Sequence, residues 1–155
     1  MGNRYEDWWR QAEADLRHAR NALDDGDYEW SCFAAQQAAE KALKAVCHKL
    51  GMDAWGHTLT VLIGNLPESI QTPPELIDYA RILDKHYIPT RHPNGFDSGA
   101  PTDFYTATEA HHAIQYADAI LTFCRHQINL IALISNRRLS NMSPDCVQNT
   151  QRLSV

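Results

Sequence analysis

Between Asp84 and Tyr105 the chain reads DKHYIPTRHPNGFDSGAPTDFY, and this stretch gathers His86, Arg91, His92, Asp97 and Asp103 behind Asp84 and Lys85. An arginine grips a phosphate through two parallel N–H bonds. A neighbouring histidine adds a donor, or carries a proton near neutral pH. Lys85, His86, Arg91 and His92 are therefore the candidate anion site of an acidic chain. A structural duty competes for Arg91, which would also serve to tie the loop to a helix carboxylate such as Glu40.

His57 stands just before a short apolar run, TLTVLI, and reads either as a proton carrier or as a helix-start histidine bonded to backbone. His111 and His112 raise the question of a metal. Adjacent helical histidines point about 100° apart, however, and neither an H-E-x-x-H nor a paired-cysteine pattern joins them. The sequence calls for no metal and no cofactor. It also lacks a G-x-S-x-G turn, a phosphate-binding glycine loop and a dinucleotide fingerprint, which sets aside the hydrolases and nucleotide-loop enzymes of those kinds.

Whole-chain charge narrows the partners. A net charge of −5 and a pI near 5.8 argue against coating nucleic acid by phosphate neutralisation, which needs a basic stripe, yet leave room for a small local site. No apolar run approaches the roughly 20 residues that span a bilayer, and MGNRYEDWWR is not a secretory leader, so a cytoplasmic protein is expected. Cysteines at 32, 47, 124 and 146 form no C-x-x-C pair and read as reduced, buried thiols.

The elements that must position these groups are all helical. In YEWSCFAAQQAAEKALKAVCHKL, Tyr28, Cys32, Ala35, Ala39, Leu43, Val46 and Leu50 make one stripe, and Ala34, Ala38, Ala42 and Ala45 make a second, methyl-only row beside it. A helix apolar over so wide an arc is the centre of a bundle. Its polar residues Gln36, Gln37, Glu40, Lys41 and Lys44 cluster between the rows, where a site could form. Tyr5–Asp24 is an amphipathic first helix, joined through Asp24-Asp25-Gly26-Asp27 as an antiparallel hairpin, with Gly26 in the left-handed position and Asp27 able to cap. A two-turn helix at 58–63 and another from Pro73-Pro74 to about His86 follow. The segment 87–105, with its prolines and glycines, is expected to hold no regular structure. Thr106 and Glu109 form a capping box that opens a last helix to about Ile134. Residues 1–134 then form one domain, and 135–155 a polar tail expected to be disordered.

Taken together, SCFAAQQAAEKALKAV, the His57-Thr58-Leu59 segment and YIPTRHP at 87–93 resemble the HEPN family over about residues 4–128. The resemblance implies an all-α, antiparallel up-down bundle of four to five helices that dimerises. HEPN proteins are often encoded beside a minimal nucleotidyltransferase, with which they act as a toxin–antitoxin module. Some branches are metal-independent ribonucleases, and other members bind nucleotides. The ribonuclease branches carry an arginine followed by a polar residue and, with four to six residues in total between it and the arginine, a histidine. Here Arg91 and His92 fit the first half, whereas Phe96, Asp97 and Ser98 occupy the places of the distal histidine. Arg81 and His86 match the spacing but point about 140° apart on a continuous helix.

These readings converge on a homodimeric HEPN-type protein that binds a nucleotide or anion and pairs with a nucleotidyltransferase. Its candidate ligand-binding residues are Lys41, Lys44, His57, Lys85, Tyr87, Arg91 and His92. The alternatives are a ribonuclease toxin, with Arg91 and His92 catalytic and RNA as substrate, and a ligand-free adaptor domain. Neither a membrane nor an extended DNA surface is expected as a partner.

Overall fold

Helix α1, Tyr5–Asp25, and helix α2, Tyr28–Lys49, form the antiparallel hairpin from which the rest of the fold is hung. The computed structural model describes residues 3–141. Gly26 ends α1 in the left-handed region at φ +83°, and the backbone N–H of Asp27 reaches the carbonyl of Ala22 at 2.8 Å, so the chain reverses in two residues. Asp27 occupies the N-cap of α2 without a side-chain cap bond, and its carbonyl alone accepts from Ser31.

Three further helices complete the core. Helix α3 spans Leu59–Gly64, α4 spans Pro74–Asp84 and, after a four-residue α5 at Pro101–Phe104, α6 runs from Ala107 to Ser140. Helix α2 packs against α1 on one side and α6 on the other. The methyl row makes this possible, since Ala34, Ala38, Ala42 and Ala45 are all buried and let neighbouring backbones come close. Leu43, Val46, Leu59, Leu83 and Ile120 fill the centre. The described residues contain helices and no strand, giving the all-α bundle that the periodicity implies.

Two boundaries differ from the sequence reading. The segment 87–105 is not devoid of regular structure: a 3-10 turn covers Pro93–Gly95 and α5 follows. Proline begins both, because its fixed φ suits a first turn and its missing N–H is harmless there. Phe96 stacks on Phe104 at 4.2 Å, and Gly99, at φ +86°, lets the chain pass where an added Cβ would lie 2.9 Å from the Phe104 ring. The last helix also runs six residues beyond Ile134, so 135–140 are helical rather than part of a tail. Its apolar period fades at Ser135, but Arg137 and Arg138 in the closing turn suit the negative end of the helix dipole. Residues 142–155 of the proposed tail, Cys146 among them, lie outside the described residues.

Candidate functional site

A buried polar row on α2 underlies the site. Gln36, Glu40 and Lys44, four residues apart, stack on one helix face, and all three are buried. The Lys44 ammonium meets Glu40 Oε1 at 2.9 Å, inside a pair whose side chains are 8% and 4% exposed. Gln37 Nε2 donates to Glu40 Oε2 at 3.2 Å. The same carboxylate faces outward to His57, whose Nδ1 is 3.1 Å from Oε1 and 3.3 Å from Oε2. Gln36 Nε2 donates to the His57 carbonyl at 3.0 Å. Thus the Gln36 amide holds the backbone of an exposed histidine, and the buried Glu40 carboxylate holds its ring through Nδ1.

Asp84 explains why His57 and the loop after α4 meet. Its carboxylate caps α3 from a distance, accepting from the Leu59 N–H at 2.6 Å, the Thr60 N–H at 3.2 Å and the Thr60 hydroxyl at 2.9 Å. The Leu59 and Thr60 N–H groups are orphan donors of a helix start, which Thr58 leaves uncapped. The start of α3, two residues after His57, is thereby pinned to the end of α4, three residues before Tyr87. The His57 and Tyr87 rings consequently stack at 4.8 Å and 16°.

Arg91 lies against the same platform. Its guanidinium carbon sits 4.2 Å from the centre of the Phe33 ring and 4.8 Å from that of Tyr87. Its Nε and Nη2 donate to the Tyr87 carbonyl at 2.9 and 2.5 Å. Among the described residues, two of its five guanidinium N–H donors are engaged, leaving three for a ligand. Arg91 is therefore not a tie to Glu40, because Lys44 and His57 hold that carboxylate. It does brace its own loop through Tyr87.

The remaining sequence candidates divide. Lys85 and His92 are exposed, the first at the end of α4 and the second just before the 3-10 turn. His86 leaves the cluster: it is buried against Tyr105, with Nδ1 unpartnered, and desolvation lowers its pKa below the usual histidine value. Lys44 is enclosed with Glu40 and lies 5.2 Å from the Trp8 ring centre. Lys41 pairs with Asp15 at 2.5 Å and borders a cleft of about 220 Å3, lined also by His18, Trp30, Phe33 and Gln37. Phe33 thus joins this cleft to Arg91. His111 and His112 are exposed on α6, and among the described residues no group of three or more His, Cys, Asp or Glu gathers to hold a metal. Arg81 pairs with Asp78 at the surface, whereas His86 is buried.

Phe33 and Glu40 were absent from the candidate ligand set. Phe33 carried a signal nonetheless: it is a large aromatic on neither apolar row of α2, so the core has no use for it.

The family model described as HEPN domain matches residues 5–127. The chain belongs to the HEPN family. Solved HEPN-like structures agree over nearly their whole length. The crystal structure of TT1696 from Thermus thermophilus is 46% identical, with a TM-score of 0.80, covering 81% of this chain and 99% of that one. ST0689, an archaeal HEPN homologue, is 39% identical with a TM-score of 0.70, covering 83% and 99%. An HEPN domain protein of Thermotoga maritima is 37% identical with a TM-score of 0.66, covering 79% and 98%. No curated protein matches the chain. The HEPN match spans α1 to the middle of α6, and so includes the His57, Tyr87 and Arg91 platform. Among the described residues of this HEPN protein, no helix is long and apolar enough to cross a membrane.

Proposed function

We propose that this HEPN protein binds a nucleotide or similar phosphate-bearing anion and works, as a homodimer, as one half of a toxin–antitoxin-like module with a nucleotidyltransferase. The observation carrying the reading is the platform in which Phe33 and Tyr87 present Arg91 with three unused donors. Flat rings and a guanidinium suit a base and its phosphate together. Lys41 borders the cleft that Phe33 also lines and would add a second cation on release from Asp15, its partner there. Tyr87 and His57, stacked on each other, bound the site, and the exposed Lys85 and His92 flank it in the chain.

A second reading is a metal-independent ribonuclease, favoured by the His57 and Glu40 pair. A carboxylate on Nδ1 orients the imidazole and leaves Nε2 for a ribose 2′-hydroxyl, while Arg91 would meet the charge developing on phosphorus. In that reading His57 takes the role assigned to His92 from sequence.

One experiment separates the two. The protein is incubated with single-stranded and structured RNA in chelator, and its thermal unfolding is recorded with a panel of ribonucleotides. Protection by nucleotide that is lost in Arg91→Gln, without cleavage, supports binding. Cleavage abolished by both Arg91→Gln and His57→Ala supports the nuclease. Neither protection nor cleavage removes both and leaves an adaptor domain.

A further inference from the structure

We propose that the outward face of α6 beyond Phe123 is a docking surface for an acidic, amphipathic helix of a different protein. This surface is separate from the Arg91 platform. Leu130, Leu133 and Ile134 are 39%, 59% and 54% exposed. Ile128 and Ile131, on the opposite side of the same helix, pack on the core. At 100° per residue the three exposed side chains span an arc of about 100°, centred away from the buried Leu121 and Cys124. A helix apolar on both sides is one suited to enclosure, so the outer side lacks a neighbour.

Charge identifies the occupant. From Ala119 to Asn141 the chain contains Arg125, Arg137 and Arg138 and no Asp or Glu, in a protein of net charge −5. Arg125 is engaged by Glu13 and the Trp9 ring. Among the described residues, no carboxylate pairs with Arg137 or Arg138. Arg137 falls in line with the apolar face, one turn past Leu133, and His126 falls in line one turn before Leu130. A second copy of α6 fits poorly. Laid parallel, it sets Arg137 beside Arg137; laid antiparallel, it sets Arg137 near His126, and neither register supplies a carboxylate. A helix with leucines three and four residues apart, flanked by Glu or Asp, meets the apolar strip and the Arg137 end at once.

The test titrates the full chain with two fluorescent helical peptides of about 20 residues, with leucine at heptad positions a and d. One carries Glu at e and g, and the other Lys. The Glu peptide is expected to bind, with at least about tenfold weaker affinity after Leu133→Glu with Ile134→Glu and with weakening by added salt. The Lys peptide is expected not to bind. Both substitutions are at exposed positions, and an unchanged circular-dichroism melt checks that the variant folds. Equal binding of both peptides, or no binding of the Glu peptide, overturns the proposal. Sedimentation equilibrium adds an arm: wild type dimeric and the double variant monomeric assigns the face to a second copy and overturns it. Binding that appears only after deletion of residues 142–155 assigns it to the chain's own terminus and overturns it too.

Discussion

Replacing Glu40 with leucine leaves the Lys44 ammonium in a site where its side chain is only 8% exposed. Burying a charge without its counter-ion is costly because the protein interior screens it poorly, and removing one partner of a buried pair typically costs about 3–5 kcal/mol. The other contacts of Glu40 add little: His57 is half exposed, and the amides of Gln36 and Gln37 can turn to other acceptors. For a domain of this size that loss corresponds to a fall in Tm of roughly 6–20 °C. Removing both charges, Glu40→Leu with Lys44→Met, takes away the stranded ammonium and keeps the volume apolar. The double variant is therefore expected to be more stable than Glu40→Leu alone, with a coupling of at least about 2 kcal/mol. Urea unfolding of wild type, both single variants and the double variant measures this directly. A loss under about 1 kcal/mol in Glu40→Leu, or a double variant whose loss equals the sum of the singles, would show that water reaches Lys44 and that the pair is not closed.

Three further expectations are independent of that cycle. Leu43 is fully buried at the centre of α2, so Leu43→Ala is expected to cost about 2–5 kcal/mol in urea unfolding, with no change in ligand affinity per folded molecule. His86 is held neutral by burial: Glu109 favours the charged form and Lys85 opposes it, but desolvation dominates, so its folded pKa lies below the unfolded value. The unfolded chain then binds the extra proton first. Stability should be full above about pH 6.5 and fall below it by up to about 1.4 kcal/mol per pH unit, and His86→Phe should flatten that limb in pH-dependent melts. Burial pushes the Cys32 thiol up to about 12 and raises those of Cys47 and Cys124, so all three should resist an aromatic disulfide reagent until the chain unfolds. Rapid labelling of any of them in the native state would contradict the packing of α2 against α6.

The fold was legible in the sequence because its signals were local and redundant. The two rows of α2 dictated neighbours on both sides, Gly26 allowed only a tight reversal, and Thr106 with Glu109 marked where α6 begins. The end of α6 was obscured because its apolar period stops before its hydrogen bonding does. The site was legible in type but not in grouping. Arg91, Tyr87 and His57 were named, yet their meeting depends on Asp84 capping a helix 25 residues earlier in the chain, a contact no spacing rule reveals. His86 and Arg91 looked equally available, and only burial separates them. Lys44 is named as a ligand-binding cation by the sequence, yet it is enclosed with Glu40, because four-residue spacing does not tell a buried polar row from an open one.

Whether Arg91, held between Phe33 and Tyr87, receives a phosphate is tested most directly by isothermal titration of ATP in chelator, with wild type against Arg91→Lys at low and high salt. Lysine keeps the charge but loses the fork and the flat stack, so affinity should fall at least about tenfold, or about 1.4 kcal/mol, and the wild-type affinity should weaken with salt. Unchanged affinity in Arg91→Lys, or wild-type binding that ignores salt, would place the ligand elsewhere and contradict a phosphate at Arg91.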